Sequence, residues 1–227
     1  MSISRFTSVL RSATAPRAVV ARPRANTRRF AWRSALWIIA TLWSHPLVAQ
    51  SLPHVRIRTT AGDIVVAVDS VRAPATSANF LRYVDAGAYR DGHFHRTVRP
   101  DNQPDTPTKI EVIQGGRARS DAARFPAIPL ERTSITGLLH RDGTISMARG
   151  GPDTATSDFF ICLGDQPSLN FGGARNPDGQ GFAAFGQVVQ GMDIVRAIQQ
   201  APAQAQRLTP TIGILDVQRV AAPARRE

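Results

Sequence analysis

The chain holds one cysteine, Cys162, so no internal disulfide can form. Its neighbours Phe160, Ile161 and Leu163 are apolar, which points to a buried strand thiol rather than a reactive nucleophile. Lysine is nearly missing: Lys109 is the only one among 28 basic residues. No acidic residue precedes Asp63, whereas Arg5, Arg11, Arg17, Arg22, Arg24, Arg28, Arg29 and Arg33 all lie before residue 50. Removing those eight leaves 20 basic residues against 17 acidic ones, so a net charge of +11 falls to +3. The basic character therefore belongs to the N-terminal stretch, and no long basic run after Arg33 offers a nucleic-acid surface. Long apolar runs are also lacking, since a transmembrane helix needs about 20 such residues.

The N-terminal stretch has the layout of a secretory signal. An arginine-rich region leads into the apolar Ala35 to Trp43, and Leu47-Val48-Ala49 offers a cleavage site. His45 and Pro46 end the apolar stretch, which is short for a membrane anchor. Residues 1–49 are expected to be a signal peptide or leader, with membrane contact only if the leader stays uncleaved. A start near Val20 would give it an ordinary length. Arg28-Arg29-Phe30 is a loose match to a twin-arginine signal.

Beyond the leader the pattern is one of short strands. Val55 to Thr59 and Ile64 to Val68, joined by Thr60-Ala61-Gly62-Asp63, read as a hairpin. Ala75 to Ala86 reads as a helix behind Pro74, capped by Thr76 or Ser77, with Phe80, Leu81 and Val84 on one face. A second helix is expected over Met192 to Gln199, with Ile194, Val195 and Ile198 inward. Short apolar runs follow at Ile110 to Ile113, Thr144 to Ala148, Phe159 to Leu163, Phe182 to Val189 and Ile212 to Val220. Many short strands with two helices point to a mainly β, closed antiparallel sheet. Residues 221–227 are expected to be a flexible tail.

Several other readings fail on their surroundings. His140-Arg141-Asp142 is a fragment of a kinase catalytic loop, without its asparagine or a phosphate-binding glycine loop. His93 and His95 lie two apart on one strand face, but no cysteine or His-Glu-x-x-His cluster completes a metal site. Ser146 and Ser168 lack the Gly-x-Ser-x-Gly context of a hydrolase.

Five blocks recur in order: Phe94-His95-Arg96, Gln114-Gly115-Gly116, Thr144-Ile145-Ser146-Met147-Ala148, Ser157-Asp158-Phe159-Phe160-Ile161 and Phe182-Ala183-Ala184-Phe185-Gly186. The ordered set resembles the cyclophilin-type peptidyl-prolyl isomerases over Val55 to Val220, and residues 50–220 are taken as that domain. The resemblance implies an eight-stranded antiparallel barrel capped by two α-helices. It implies isomerisation of X-Pro bonds in unfolded or flexible polypeptides, with no cofactor and no metal. An exported bacterial monomer, periplasmic or anchored through an uncleaved leader, would then assist the folding of exported proteins. The alternative is a non-catalytic proline-binding module of the same fold.

The resemblance also assigns roles. Arg96 matches the catalytic arginine. Gln114 matches the glutamine that holds substrate backbone and arginine. Phe160 matches the floor of the proline pocket, while Phe159 should point into the core. Ala148 and Arg149 match a pair that meets the substrate main chain, and Val112, Leu169 and Phe182 line the pocket. Glycines 115 and 116 permit close backbone approach. The chain departs from the common pattern in places. Thr97 to Ile113 reads as an inserted surface loop, and Gly172-Gly173 and Asn176 to Gly179 enlarge a second one. Glu111, Val112, Asp158, Ser168 and Phe182 replace other residue types, and Glu111 would block the pocket if it projected inward.

Overall fold

The computed structural model describes residues 51–118 and 125–223, so the leader and the last four residues of the tail lie outside the described residues. Among the described residues no helix is long and apolar enough to cross a membrane. The elements in order are β1 (His54–Thr59), β2 (Gly62–Val68), α1 (Pro74–Asp85), β3 (Gly92–Val98) and β4 (Val112–Gly116). Then come α2 (Thr133–Thr136), β5 (Thr144–Met147), β6 (Phe159–Cys162) and β7 (Ala183–Gln190). The last are α3 (Met192–Gln200), β8 (Ala203–Gln204) and β9 (Arg207–Val220).

The sheet runs β1-β2-β7-β5-β6-β4-β3-β9 and closes because β9 also pairs with β1. All these pairings are antiparallel, so the expected eight-stranded barrel is present. Closure removes free edges. The two-residue β8 hangs on β9 outside the ring. The helix count differs from expectation: α2 is a third, one-turn helix that ends at Gly137 in the left-handed region. It is too short to show the periodicity by which helices are read from sequence. Strand β3 was also absent from the expected runs, because its alternating His and Arg residues hide its apolar face.

Phe80 of α1 plugs the barrel, with ring centroids 5.1 Å from Phe185, 5.5 Å from Tyr89 and 5.7 Å from Phe159. Val195 and Ile198 of α3 enter the same core, and Ile194 is only partly buried against it. The α1 cap is not the one expected. Ala73 stands at the N-cap, the Ser77 hydroxyl donates to the Asp69 carbonyl, and Thr76 Oγ1 has no partner among the described residues. The Glu131 carboxylate instead accepts from the Ala75 and Thr76 N–H groups, at 3.0 and 2.7 Å. A remote carboxylate serves there because it satisfies two orphan donors and complements the helix dipole.

Two apolar clusters lie on opposite faces of one sheet. Phe159 and Ile161 of β6 and Ile113 of β4 point into the barrel. Their neighbours Phe160, Cys162 and Val112 point outward and meet Val98, Ile110 and Leu169. Period-two alternation accounts for this split. Cys162 is fully buried, and burial pushes its thiol pKa up.

Candidate active site

The Phe94-His95-Arg96 block poses a geometric problem. Residues 94 and 96 should share a face, yet Phe94 is fully buried in the barrel core. A β-bulge resolves it. Phe94 pairs with Gly115 and Arg96 with Gln114, which leaves His95 as the extra residue. The bulge turns Arg96 to the outer face. There it joins a row across adjacent strands: Arg96 opposite Gln114, Gln114 opposite Phe160, and Phe160 opposite Ser146.

The guanidinium is held on two sides. Nη1 donates to Gln114 Oε1 at 3.0 Å, and Nε and Nη2 donate to Gln206 Oε1 at 2.9 and 2.6 Å. Burial lowers the Arg96 pKa, and the charge of Arg175 lowers it further. An arginine stays charged at neutral pH nonetheless. Gln206 was not anticipated. It sits in the turn between β8 and β9, and no short motif marks it. Its Nε2 donates to the Asn102 carbonyl, and Asn102 Nδ2 donates to the carbonyls of Thr97 and Ala205.

Asn102 belongs to the segment expected as a surface loop over residues 97–113. Its ends are in fact strand: Thr97 and Val98 close β3, and Val112 and Ile113 open β4. The connecting part has an interior of its own, with Gln103 1% exposed and bonded to Arg99 and Ile110. The insertion therefore buttresses the arginine through Gln206.

Two surfaces adjoin the guanidinium. One is a cavity of about 1070 Å³ lined by Arg96, Gln114, Ala148, Arg149, Gln206, His93, His95 and Asp158, among others. Burial lowers the His95 imidazole pKa, opposed by the Asp158 charge. The other is a shallow apolar dish of Phe160, Val112, Leu169 and Phe182, in which Phe182 stands edge-on to Phe160 at 5.3 Å. Phe160 is 4% exposed and Leu169 1%, so Phe182, only partly buried, forms the accessible wall. The structure thus brings Arg96, Gln114, Ala148, Arg149, Val112, Phe160, Leu169 and Phe182 to one side of the barrel.

A partly buried arginine has a glutamine at its side and an apolar dish one strand further. Among the described residues no three His, Cys, Asp or Glu side chains gather around a common point. The family model described as cyclophilin type peptidyl-prolyl cis-trans isomerase/CLD matches residues 54–219. The chain belongs to this isomerase family. It is 35% identical over 162 residues to Peptidyl-prolyl cis-trans isomerase A of Dickeya dadantii, covering 70% of this chain and 78% of that one. It is 35% identical over 147 residues to Peptidyl-prolyl cis-trans isomerase B of Escherichia coli, covering 64% of this chain and 83% of that one. The fold is similar to a crystal structure of a Cryptosporidium parvum cyclophilin type peptidyl-prolyl cis-trans isomerase. The TM-score is 0.61 at 24% identity, over 76% of this chain and 99% of that one.

Within this cyclophilin frame, the position of Arg149 was expected to meet a ligand through its main chain, and its side chain has other partners. Its guanidinium is committed to the protein: two N–H groups reach the Asp178 carboxylate at 2.7 and 2.9 Å, and Nε donates to the Gly181 carbonyl at 2.8 Å. The hydrogen bond from Arg149 draws the Asp178 carboxyl down to about 2. The guanidinium also lies 5.0 Å from the centre of the Phe182 ring, so it pins the enlarged loop and one wall of the dish. Only the main chain of Arg149 is left to meet a ligand. The glycines also have specific neighbours. A Cβ on Gly115 would lie 2.8 Å from the Phe94 ring, and one on Gly116 would strike the Asp158 carboxylate.

His140 supports the dish from behind. Its ring stacks on Phe160 at 5.9 Å and 13°. Nδ1 meets Asn170 Oδ1 at 2.8 Å, and Nε2 meets Ser146 Oγ at 3.0 Å. Asn170 Oδ1 can only accept, so Nδ1 carries the proton and Nε2 accepts from the serine. Burial pulls this imidazole down to about 4.

Proposed function

We propose that the chain accelerates X-Pro isomerisation in unfolded or flexible polypeptides during the folding of exported proteins, with Arg96 as the catalytic residue. One observation carries this reading: the strand register sets Arg96, Gln114 and Phe160 in one outward row. A proline ring on the Phe160–Phe182 dish then has its amide nitrogen within reach of the guanidinium. The planar amide resists rotation by about 18–20 kcal/mol because the nitrogen lone pair is delocalised. In the twisted state the lone pair returns to nitrogen and accepts a hydrogen bond. A donor poised there binds the transition state more tightly than either planar isomer. A thousandfold acceleration needs only about 4 kcal/mol of such preference. Gln114 and Gln206 hold the donor in place, and Gln114 remains beside the substrate main chain. The related Cryptosporidium structure determined in the presence of the dipeptide Ala-Pro fits a proline-binding role for this fold.

The alternative, a proline-binding module without turnover, would gain from a Glu111 side chain in the dish. That carboxylate instead accepts from Gln199 Nε2 of α3 at 2.9 Å. Export rests on the arginine-rich leader with its apolar Ala35 to Trp43, and the periplasm is the compartment it would reach. Cell fractionation with mass spectrometry of the N-terminus checks this part.

The decisive assay is isomerisation of a proline peptide by exchange NMR. Arg96→Ala should lower kcat/KM at least about tenfold, a loss of roughly 1.4 kcal/mol of transition-state binding. An unchanged rate overturns the catalytic assignment. Peptide binding without accelerated exchange in the wild type would establish the module.

A further inference from the structure

Arg175 crosses the rim of the dish. Its backbone N–H donates to the Ser168 carbonyl at 3.1 Å, next to Leu169 of one wall. Its Nη1 reaches the opposite side, donating to the Thr108 carbonyl at 2.7 Å and to Gln103 Oε1 at 2.9 Å. Gln103 is in turn bonded to Ile110, which packs in the same apolar cluster as Phe160 and Leu169. The side chain therefore spans two walls of the site, yet only Nη1 is used. Nε and Nη2 take no hydrogen-bond partner among the described residues.

The charge is as unmatched as the donors. Among the described residues, neither Arg175 nor Arg96 forms an ion pair, and Arg207, opposite Arg96 in the strand register, forms none either. Glu111 is engaged with Gln199, Asp101 with Arg99 and Asp178 with Arg149, while Asp158 lines the cavity that Arg96 and Arg207 also line, forming no ion pair among the described residues. Asp105 is exposed and makes no ion pair among the described residues. Partial burial lowers the Arg175 pKa, as expected for a cation without a counter-ion. The Arg175 charge reaches Arg96, and its Nε/Nη2 edge, without a partner among the described residues, is a receptor for a planar carboxylate.

We propose that Arg175 selects clients carrying an aspartate or glutamate within two residues of the proline. This rests on the isomerase reading of the same site. The client carboxylate would accept from Nε and Nη2 of Arg175 while the proline ring lies on the dish. The preference comes from a long-range field as well as the contact, so it weakens with salt.

The test is exchange NMR on alanine-based proline peptides. Glutamate, glutamine or lysine is placed singly at each of the two positions before and after proline. At one position at least, glutamate should raise kcat/KM about threefold over glutamine, and lysine should lower it. The glutamate-to-glutamine ratio is taken within each protein, so a general change in turnover cancels. It should fall to about one in Arg175→Gln and be largely kept in Arg175→Lys. If Arg175→Gln does not fold, loss of the wild-type ratio in 0.5 M salt serves instead. A ratio near one at every position, or one that survives Arg175→Gln (or, if that variant does not fold, survives 0.5 M salt), overturns the proposal. Should no peptide be accelerated, the isomerase reading fails. The same ratio is then read as binding affinity from chemical-shift titration, with the same outcomes.

Discussion

The Arg96 guanidinium gives two N–H groups to a single acceptor, Gln206 Oε1, across 110 residues of chain. Gln206 should therefore position Arg96 without touching substrate. Gln206→Ala is expected to lower kcat about tenfold while KM changes little, because misplacing a catalytic group penalises chemistry more than binding. Stability should fall by only about 1 kcal/mol, the worth of an ordinary hydrogen bond. In an Arg96→Ala background the same change should cost no further activity, and a double-mutant cycle measures this coupling.

Phe182 is the accessible wall of the dish, so Phe182→Ala should raise KM more than it lowers kcat. Its ring is only partly buried. The loss of stability should be roughly 2 kcal/mol, below the ~3–5 of a fully buried ring. Phe182→Leu should retain most of the binding. Steady-state kinetics beside urea unfolding separate the two effects.

His140 makes stability depend on pH. Its imidazole is neutral in the fold, with a pKa near 4, against an ordinary value of 6.5. Between those values the unfolded chain binds the extra proton and the folded chain does not, so acid favours unfolding. The His140 contribution is complete above pH 6.5, is lost progressively down to about pH 4, and has no further slope below that. It amounts to roughly 3 kcal/mol. Urea denaturation from pH 7 to 4 should show this decline, and His140→Gln should flatten it over that window.

Glu131 caps a helix that its own sequence leaves uncapped. Glu131→Ala should cost about 1 kcal/mol. For a domain of this size that is about 2–4 °C in Tm. Calorimetry measures it directly, and Glu131→Gln should recover part of the loss through its remaining amide oxygen.

Strand alternation was readable without coordinates. Phe159 inward and Phe160 outward follow from period two alone, and the same rule sorts Ile113 from Val112. Pro74 and the spacing of Phe80, Leu81 and Val84 mark α1 within a residue of its bounds. Such features are local, because they depend on neighbours a few residues apart. The bulge at His95 was not local. Nothing in the Phe-His-Arg block announces the extra residue that sends Phe94 into the core and Arg96 out of it. The partners of the site were likewise hidden. Gln206 and Arg175 stand in turns and Asn102 in a three-residue 3-10 helix, none of which carries a periodicity, and Glu131 lies 56 residues from the amide it caps.

Short-range pattern and the order of the five blocks, through the family they resemble, determined the barrel class, the inward and outward faces and the candidate cation, Arg96. Tertiary structure decided where that cation points, what holds it, and which charges surround it. The reason is physical: a hydrogen-bond periodicity is written along the chain, whereas the field at a guanidinium is set by groups that only barrel closure brings within a few ångströms.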